Sequence, residues 1–395
     1  MQIYLDNSAT TAPRSEVIAK MEEILSKKWG NPSSLHSWGQ RAATELEEAR
    51  IKVASLINAS NPESIIFTSG GVEANNLAII GVARRYKNPQ HIIISSVEHS
   101  AVTQPASLLE QWGWQVTRLP VNNTGRINPL DLKAAIRSNT VLVSIIYGQS
   151  EVGTLQPIET LAQIAAERGI LFHTDAVQVV GRLPVDVQRL PVDLLSLSSH
   201  KIYGPQGAGA LYVRPGVELT PILAGGGQEL GKRSGTQPLP AIAGFGVAAE
   251  IAAAQMSAER SRLIRLRDRL FDLLADCHYL KPTGDRLYRL PHHVSFIVGD
   301  FSDSKERMPE AVTGKTVVRQ LNLAGIGISA GSACHSGKLS PSPILLAMGY
   351  SELAAKRGIR LSLGRDTAIA DIDWTAMVLK QILDRLMPPL VTSKR

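Results

Sequence analysis

Short apolar runs alternate with longer segments of helical periodicity between residues 64 and 213. The apolar runs are SIIFT, HIIISS, TVLVSIIY and GILFHTD, and helical patterns such as VEANNLAIIGVARRY separate them. Apolar runs of this length are typical of strands buried on both faces, as in a parallel sheet covered by helices. The pattern therefore predicts an α/β domain built on a mainly parallel sheet.

Two later apolar runs depart from this alternation. DLLSLS at 193–198 and AGALYV at 208–213 are joined only by the tight connection HKIYGPQG. A short connection can join antiparallel strands, whereas parallel strands need a longer crossover. We expect these two strands to be antiparallel neighbours.

The pattern changes again after residue 257. The segment KPTGDRLYRLPHHVSFIVGD precedes a helical pattern around 316–324 and a closing one at 371–386. The chain has 395 residues, and one hydrophobic core rarely serves more than about 250–300. We expect a large α/β domain over about 13–257 and a smaller α+β domain from 258 onward.

Composition and the first residues place the chain among globular proteins. Hydrophobic residues make up 44% and charged residues 19% of the sequence, which excludes a disordered chain. The opening segment MQIYLDNSATTAP lacks the cationic and apolar parts of a signal or transit peptide. The apolar segment 241–256 contains Glu250, which suits a packed helix better than a membrane span. We expect a cytoplasmic protein without a membrane partner.

The net charge of +7 could indicate nucleic-acid binding. The densest basic segment, 260–269, places its arginines between leucines and isoleucine at helical spacing. Such a segment is typical of the solvated face of an amphipathic helix. We therefore expect no nucleic-acid partner.

The sequence contains only two cysteines, Cys277 and Cys334. Two cysteines exclude a disulfide framework and favour a reducing compartment. Cys277 follows FDLLAD in a helical pattern and is interpreted as a packing residue. Cys334 lies in the small-residue segment SAGSACHS, where an exposed thiol can ionise and attack; the alternative is again a buried, inert side chain.

Polar residues follow the ends of several predicted strands, where open α/β sheets bind their ligands. After SIIFT, the segment SGGVE at 69–73 leads into a helix, and its glycines allow backbone N–H groups to approach an anion. An ordinary glycine-rich turn is the alternative. His99 follows HIIISS, where it either stacks on a flat ligand or moves protons, or is a satisfied structural residue.

An acid and a lysine follow two further strands. Asp175 ends GILFHTD, and a carboxylate at the end of a buried strand is costly unless it meets a cation or caps the next helix. Lys201 follows DLLSLS, where desolvation lowers the pKa of an amine and favours imine chemistry; a surface lysine in a turn is the alternative. An anion loop, a stackable ring, an acid and a lysine in one sheet together match a pyridoxal-phosphate site.

The chain resembles, nearly end to end, the pyridoxal-phosphate-dependent cysteine desulfurases of the iron-sulfur-cluster and nitrogen-fixation type, within the class-V aminotransferases. The resemblance is carried by YLDNSATT (4–11), NPSSLHSWG (31–39), FTSGGVEANN (67–76), HTDAVQ (173–178), SSHKIYGPQG (198–207), GGGQELGKRSGT (225–236), SAGSACHS (329–336) and IRLSLGR (359–365). It implies a fold-type I enzyme with a seven-stranded sheet, a small domain that also includes residues 1–12, and a homodimer.

The resemblance also implies a role for each matching residue. Lys201 would bind the cofactor covalently, Asp175 would pair with the ring nitrogen, Gln178 would bond the ring O3′, and His99 would stack on the ring. The phosphate contacts would come from Gly71, Val72, Ser198, His200 and, reaching in from the second subunit, Thr236.

Further matches concern the substrate and the sulfur. Arg360 and Asn31 match substrate-binding positions, and the guanidinium fork of Arg360 suits a carboxylate. Cys334 matches the cysteine that takes sulfur from the substrate. Two positions depart from the family's pattern: Val72 stands where a threonine is usual, and Ser150 stands where an asparagine contacts the cofactor.

The implied reaction converts L-cysteine to L-alanine and leaves the sulfur as a persulfide on Cys334. A sulfur-acceptor protein, either an iron-sulfur scaffold or a thiolation relay, would then receive the sulfur. The alternatives are a selenocysteine lyase or an aminotransferase of the same fold, or a sulfur-relay binding partner without turnover.

Overall fold

The computed structural model describes residues 2–301, 312–331 and 340–387. In these ranges the strands are β1 Ile3–Tyr4, β2 Ile65–Thr68, β3 His91–Ser95, β4 Gln115–Leu119, β5 Thr140–Ile146, β6 Leu171–Asp175, β7 Leu194–Ser198, β8 Gly209–Val213, β9 Leu280–Pro282, β10 His293–Val298, β11 Ile326–Gly327, β12 Ser329–Ala330 and β13 Gly358–Ser362. The helices are α1 Ser15–Lys27, α2 Ser37–Leu56, α3 Gly71–Ala83, α4 Ser100–Gln111, α5 Pro129–Ala135, α6 Ile158–Ala166, α7 Leu239–Leu273, α8 Gly314–Leu323, α9 Pro343–Ala347, α10 Glu352–Ala355 and α11 Ile369–Leu386.

A seven-stranded sheet has the strand order β2-β8-β7-β6-β5-β3-β4. Its strands are parallel except β8, which pairs antiparallel with both β2 and β7. The mainly parallel sheet and the antiparallel β7–β8 pair are confirmed. The two strands adjoin because the connection between them is too short for a crossover helix.

Both faces of this sheet are covered by helices. On one face, side chains of α3 and α4 pack against alternate positions of β2, β3 and β5. On the other face, a larger core joins the opposite side chains of these strands to α1, α2, α6 and the first half of α7. Every residue of β3 is buried, as a strand covered on both sides requires.

A second sheet with the order β12-β13-β10-β9 lies in the C-terminal part of the chain. Its core also contains Ile3 and Leu5 from the N-terminal segment, together with side chains of α8 and α11. β1 pairs in parallel with β11, and Asp6 forms an isolated bridge with Ser362. The N-terminal segment thus packs with elements found more than 300 residues later, while the domain boundaries remain a prediction.

The helix α7 runs for 35 residues from the first core into the second. By length and composition it is the one helix of the described ranges that could span a membrane, and 44% of its most apolar window is buried. Its first half contributes Ile242 and Phe245 to the larger core, and its second half contributes Leu270 to the other core. The burial of both halves is typical of a core helix.

Candidate active site

Most of the predicted site residues follow strands that run in the same direction. β2, β7, β6, β5 and β3 are mutually parallel, so their carboxyl ends share one edge of the sheet. The predicted residues that end or follow these strands are Gly71, Lys201, Asp175, Ser150 and His99. The position of these residues at one edge agrees with the usual location of ligand sites in open α/β sheets.

Lys201 closes a short 3-10 turn directly after β7. Its Nζ donates hydrogen bonds to the carbonyl oxygens of Ser8 at 2.6 Å and Ala9 at 2.7 Å. Burial, followed by the charges of Arg182 and Arg360, lowers the pKa of Lys201 to about 8. A useful fraction of the amine is therefore neutral, and therefore nucleophilic, near neutral pH.

Asp175 ends β6 and is almost fully buried. Its Oδ2 accepts a hydrogen bond from Asn75 Nδ2 at 2.7 Å, and its Oδ1 accepts one from the backbone N–H of Val177 at 3.0 Å. Asp175 also lies close enough to Lys201 and His99 to shift the pKa of each upward. Two donors hold this carboxylate in one orientation at the centre of the edge.

Two histidines at the edge are kept neutral by their surroundings. His99 caps α4, with Nδ1 accepting from the backbone N–H of Ala101 at 3.1 Å, and burial lowers its pKa. His200 Nδ1 bonds Thr10 Oγ1 at 3.1 Å. Burial, and then the charge of Lys201, lower the pKa of His200 to about 4. Because Nδ1 of His99 accepts, its Nε2 carries the proton of the neutral ring.

The N-terminus of α3 faces the end of β7. A Cβ added at Gly71 would lie 3.7 Å from Ser198 Cβ and 2.9 Å from Val177 Cγ2, so only glycine permits this close approach. The hydroxyl oxygen of Ser198 is buried and has no hydrogen-bond partner among the described residues. A free hydroxyl beside a helix N-terminus is suited to an anion such as a phosphate.

Arg360 lies on β13 and is buried, with its guanidinium held at two corners. Its Nη2 pairs with Asp6 Oδ1 at 2.6 Å, and its Nη1 donates to the carbonyl oxygen of Ser150 at 3.0 Å. Its Nε is buried without a partner in the part of the chain that the structure describes. Arg360 thus retains a free donor, and its charge lies close enough to Lys201 to lower the pKa of the lysine.

Other predicted residues lie apart from Lys201 or make different contacts. Val72, 60% exposed, lines a groove of about 300 Å³ with Ser100 and Gln104 between α3 and α4. Thr236 and Asn31 are exposed, and within the described ranges no hydrogen bond joins either of them to Lys201 or Arg360. The roles of these three residues remain predictions.

The two cysteines differ in what the structure says of them. Cys334 lies outside the described residues. Cys277 is buried in the second core, and burial raises the pKa of its thiol. The packing role expected for Cys277 agrees with this environment.

Several residues at the site were not singled out from the sequence. Asn75, which binds Asp175, lies in the motif FTSGGVEANN, and its position one helical turn after Gly71 was an available signal. The Ser8 and Ala9 carbonyls that receive Lys201 lie in YLDNSATT. No local pattern could show that these backbone atoms meet a side chain more than 190 residues away.

The residues at this edge fit pyridoxal phosphate, which carries an aldehyde, a ring nitrogen and a phosphate group. Lys201 supplies an amine with a lowered pKa, and Asp175 supplies a fixed carboxylate. The N-terminus of α3 and the unpartnered hydroxyl of Ser198 supply phosphate donors. The three kinds of group that the cofactor needs are present in one site.

Comparison with known proteins places the whole chain in one family. Residues 3–374 match the family described as aminotransferase class-V. The chain is 44% identical over 389 residues to cysteine desulfurase IscS of Dictyoglomus turgidum, which covers 98% of this chain and 95% of the relative. It is 41% identical over 391 residues to the IscS of Methanosarcina thermophila, with 98% of this chain and 94% of the relative covered.

Solved structures give the same relationship. A NifS-like protein superposes with a TM-score of 0.89 at 33% identity, over 98% of this chain and 100% of the other. A structure titled "SspA in complex with cysteine" superposes with a TM-score of 0.78 at 36% identity, over 92% and 99% respectively. The predicted fold type and the predicted dependence on pyridoxal phosphate are therefore confirmed, and this chain belongs to the class-V aminotransferase family.

Proposed function

We propose that this chain is a cysteine desulfurase, which converts L-cysteine to L-alanine and transfers the sulfur to Cys334. The observation that carries the proposal is a buried arginine with a free donor, Arg360, near an amine with a lowered pKa, Lys201. A carboxylate-binding group near an imine-forming amine suits an α-amino acid substrate. The relatives named cysteine desulfurase and the neighbour whose structure contains cysteine support this choice of amino acid.

The chain's own residues divide the work of the reaction. Arg360 binds the carboxylate of the substrate and orients its Cα–H bond. Pyridoxal phosphate, when bound, would supply the acceptor for the electron pair that remains after this proton leaves. Lys201, with a pKa of about 8, carries the proton as a general base. Asp175 would stabilise the positive charge of the ring nitrogen, and Gly71 and Ser198 would bind the phosphate.

Sulfur transfer requires a nucleophile and a proton donor. The Cys334 thiolate attacks the sulfur atom of the substrate, so that an S–S bond forms and the C–S bond breaks. The carbon keeps the electron pair and takes up a proton, which gives alanine. His99 is neutral because burial lowers its pKa, and it exchanges protons with the substrate thiol through its Nε2.

The test is incubation of the holoenzyme with L-cysteine, with alanine quantified and the persulfide located by mass spectrometry. We expect one alanine for each sulfur released and a persulfide on Cys334. Cys334→Ala should keep the visible absorption of the cofactor and lose sulfur release, whereas Cys277→Ala should keep both. Undiminished desulfuration by Cys334→Ala would remove this cysteine from the mechanism.

The same experiment separates the alternatives. Selenide release from L-selenocysteine that survives Cys334→Ala would identify a selenocysteine lyase. If an oxo-acid acceptor is supplied and 3-mercaptopyruvate forms in place of alanine, with the sulfur still on its carbon, the chain would be an aminotransferase. If the protein binds no pyridoxal phosphate even when an excess is added, this result would favour a relay partner without turnover.

We also propose a homodimer in which Thr236 serves the phosphate site of the partner subunit. Thr236 is exposed and has no hydrogen bond within the described ranges, which supports a role outside its own subunit. Mixing Lys201→Ala with Thr236→Ala subunits creates one native site in each heterodimer. We expect the mixture to regain activity that neither variant has at limiting cofactor, and no gain on mixing would contradict the proposal.

We propose that the sulfur serves iron-sulfur cluster assembly or thiolation in the cytoplasm. The names of the relatives support the use of the sulfur, and the buried free thiol of Cys277 suits a reducing compartment. The net charge of +7 suits an acidic acceptor protein. The test is rescue of iron-sulfur enzyme activity by this chain, and not by Cys334→Ala, in cells that lack their own desulfurase.

A further inference from the structure

Arg182 is a buried arginine without a carboxylate partner among the described residues. It is 7% exposed, and burial lowers its pKa to about 10. A buried cation is costly unless its donors are satisfied. The position of Arg182 therefore depends on the acceptors around it.

Those acceptors belong to two segments that meet at Lys201. Arg182 Nη1 donates to Gln178 Oε1 at 3.0 Å and to the Gln178 carbonyl oxygen at 3.3 Å. Its Nη2 donates to the carbonyl oxygen of Asn7 at 3.1 Å. Asn7 precedes Ser8, whose carbonyl oxygen accepts from Lys201 Nζ. Arg182 thus joins the turn after β6 to the N-terminal segment, one residue before the carbonyl that accepts from the lysine.

These contacts determine which way the amide of Gln178 points. A guanidinium has only donors, so it selects the amide oxygen. The Nε2 of Gln178 is then directed to Ser8 O, to which it donates at 2.9 Å. The reversed amide would place two donors against each other at Arg182 and two acceptors against each other at Ser8.

We propose that Arg182 is a positioning residue that fixes the amide of Gln178 with its NH2 group on Ser8 O, the carbonyl oxygen that also accepts from Lys201 Nζ. The amide of Gln178 then presents an N–H donor, and not an oxygen acceptor, to the cofactor that binds Lys201. This inference rests on the proposed function only in that Lys201 binds the cofactor. The charge of Arg182 also acts on Lys201. After burial, this charge is the largest cause of the lowered pKa of Lys201.

The test is a double-mutant cycle with Arg182→Met, Gln178→Ala and the double variant. The readouts are the dissociation constant of pyridoxal phosphate and the wavelength of its bound visible band, and neither needs turnover. We expect Arg182→Met to weaken cofactor binding roughly tenfold, as loss of a hydrogen bond from a charged donor does, and to shift the band. In the Gln178→Ala background the same change should have a smaller effect, because only the charge that Arg182 exerts on Lys201 is then lost.

Two outcomes would overturn the inference. Equal effects of Arg182→Met in both backgrounds would show that Arg182 does not act through Gln178. An unchanged band and dissociation constant in Arg182→Met would show no positioning role. Arg189→Met is the matched control because Arg189 is exposed on the same connection, and it should change neither readout.

A second variant covers the case in which Arg182→Met does not fold. Arg182→Lys keeps a donor to Gln178 Oε1 and loses the fork that also reaches Asn7. We expect it to keep the band position and to bind the cofactor less tightly by no more than about threefold, because one charged hydrogen bond persists. A band shifted in Arg182→Lys to the value of Gln178→Ala would contradict the inference. Because these readouts do not involve cysteine, absence of desulfurase activity would leave them interpretable.

Discussion

Glu98 is a fully buried carboxyl group that directly precedes His99 in the chain. Its Oε1 accepts hydrogen bonds from Ser95 Oγ at 2.5 Å and from the backbone N–H of Ile146 at 2.9 Å. Burial raises the pKa of Glu98 to about 8; the hydrogen bonds from Ser95 and Ile146 oppose this rise, and the charge of Asp175 adds to it. The protonated carboxyl therefore links the ends of β3 and β5 beneath the site.

This raised pKa predicts a pH dependence of stability. The ordinary value is 4.5, so between pH 4.5 and about 8 the folded state holds a proton that the unfolded state has released. The free energy of unfolding then falls as pH rises through this window, by up to about 1.4 kcal/mol per pH unit. We expect Glu98→Gln to remove this slope and to be more stable than the parent at pH 8.

Urea unfolding at pH 5.5 and pH 8 measures the difference. Glu63→Gln is the control because Glu63 is exposed, and its pH slope should equal that of the parent. The same slope in Glu98→Gln would show that Glu98 does not hold the proton.

Side-chain types at strand ends could be read from the sequence, whereas their partners could not. Asp175 and Lys201 lie at the ends of apolar runs. A charged group at such a position costs free energy to bury, so the position alone indicates a functional or paired charge. The partner of Asp175, Asn75, comes from a helix 100 residues earlier. Local patterns carry no information about such pairs because the fold brings them together.

At the scale of elements, the first turn of α3 is the end of the site that we propose for the phosphate. Gly71 begins the helix after Gly70, whose φ of 156° is available at low cost only to glycine. Val72 follows with no hydroxyl to offer, although its side chain is 60% exposed. At position 72 a phosphate could therefore meet only a backbone N–H group, and the unpartnered hydroxyl of Ser198 lies close to this helix end.

Restoring a hydroxyl at position 72 should strengthen cofactor binding. Val72→Thr keeps the branched shape and adds a donor in the first helical turn. One additional hydrogen bond contributes about 0.5–1.5 kcal/mol, so we expect the dissociation constant of pyridoxal phosphate to fall roughly threefold to tenfold.

Equilibrium dialysis of the apoprotein measures this change. Val318→Thr in α8 is the matched control because it makes the same exchange in a helix of the second core. An unchanged dissociation constant in Val72→Thr would indicate that the side chain at 72 points away from the phosphate.

The order of strands and helices could largely be predicted from the sequence, but the length of helix α7 could not. Alternating apolar and helical patterns indicated the parallel strands, and the short connection after β7 indicated its antiparallel neighbour. The segments 241–256 and 260–269 differ so much in character that their union in α7 was not evident. The composition changes because the helix leaves one core and enters another.

At the scale of the whole molecule, distant parts of the chain converge on Lys201. Asp6 pairs with Arg360, 354 residues away in sequence. The two charges act on Lys201 in opposite senses, since Arg360 lowers its pKa and Asp6 raises it. Together with burial and the charges of Arg182 and Asp175, this pair therefore influences how much of the amine is neutral at a given pH.

Removing the charge of Asp6 should make Lys201 more reactive at neutral pH. In Asp6→Asn the pKa of Lys201 falls below about 8, so the pH profile of cofactor capture by the apoprotein moves to lower pH. An amine with a pKa near 8 is about one-tenth neutral at pH 7, so the gain in rate there cannot exceed about tenfold.

Stopped-flow mixing of apoprotein with pyridoxal phosphate between pH 6 and pH 9 tests this expectation. Asp272→Asn is the control because Asp272 is exposed on α7, and its profile should match the parent. A profile displaced to higher pH in Asp6→Asn would contradict the electrostatic account.

The N-terminal segment also sets an order of events during synthesis. Ile3 and Tyr4 pair with Ile326 and Gly327, and the residues just after them provide the carbonyls that receive Lys201. On the ribosome, at roughly 5–20 residues per second, these early residues wait tens of seconds for their late partners. In a nascent chain Lys201 therefore lacks its finished pocket, and we expect the cofactor to be captured only after both ends of the chain have met.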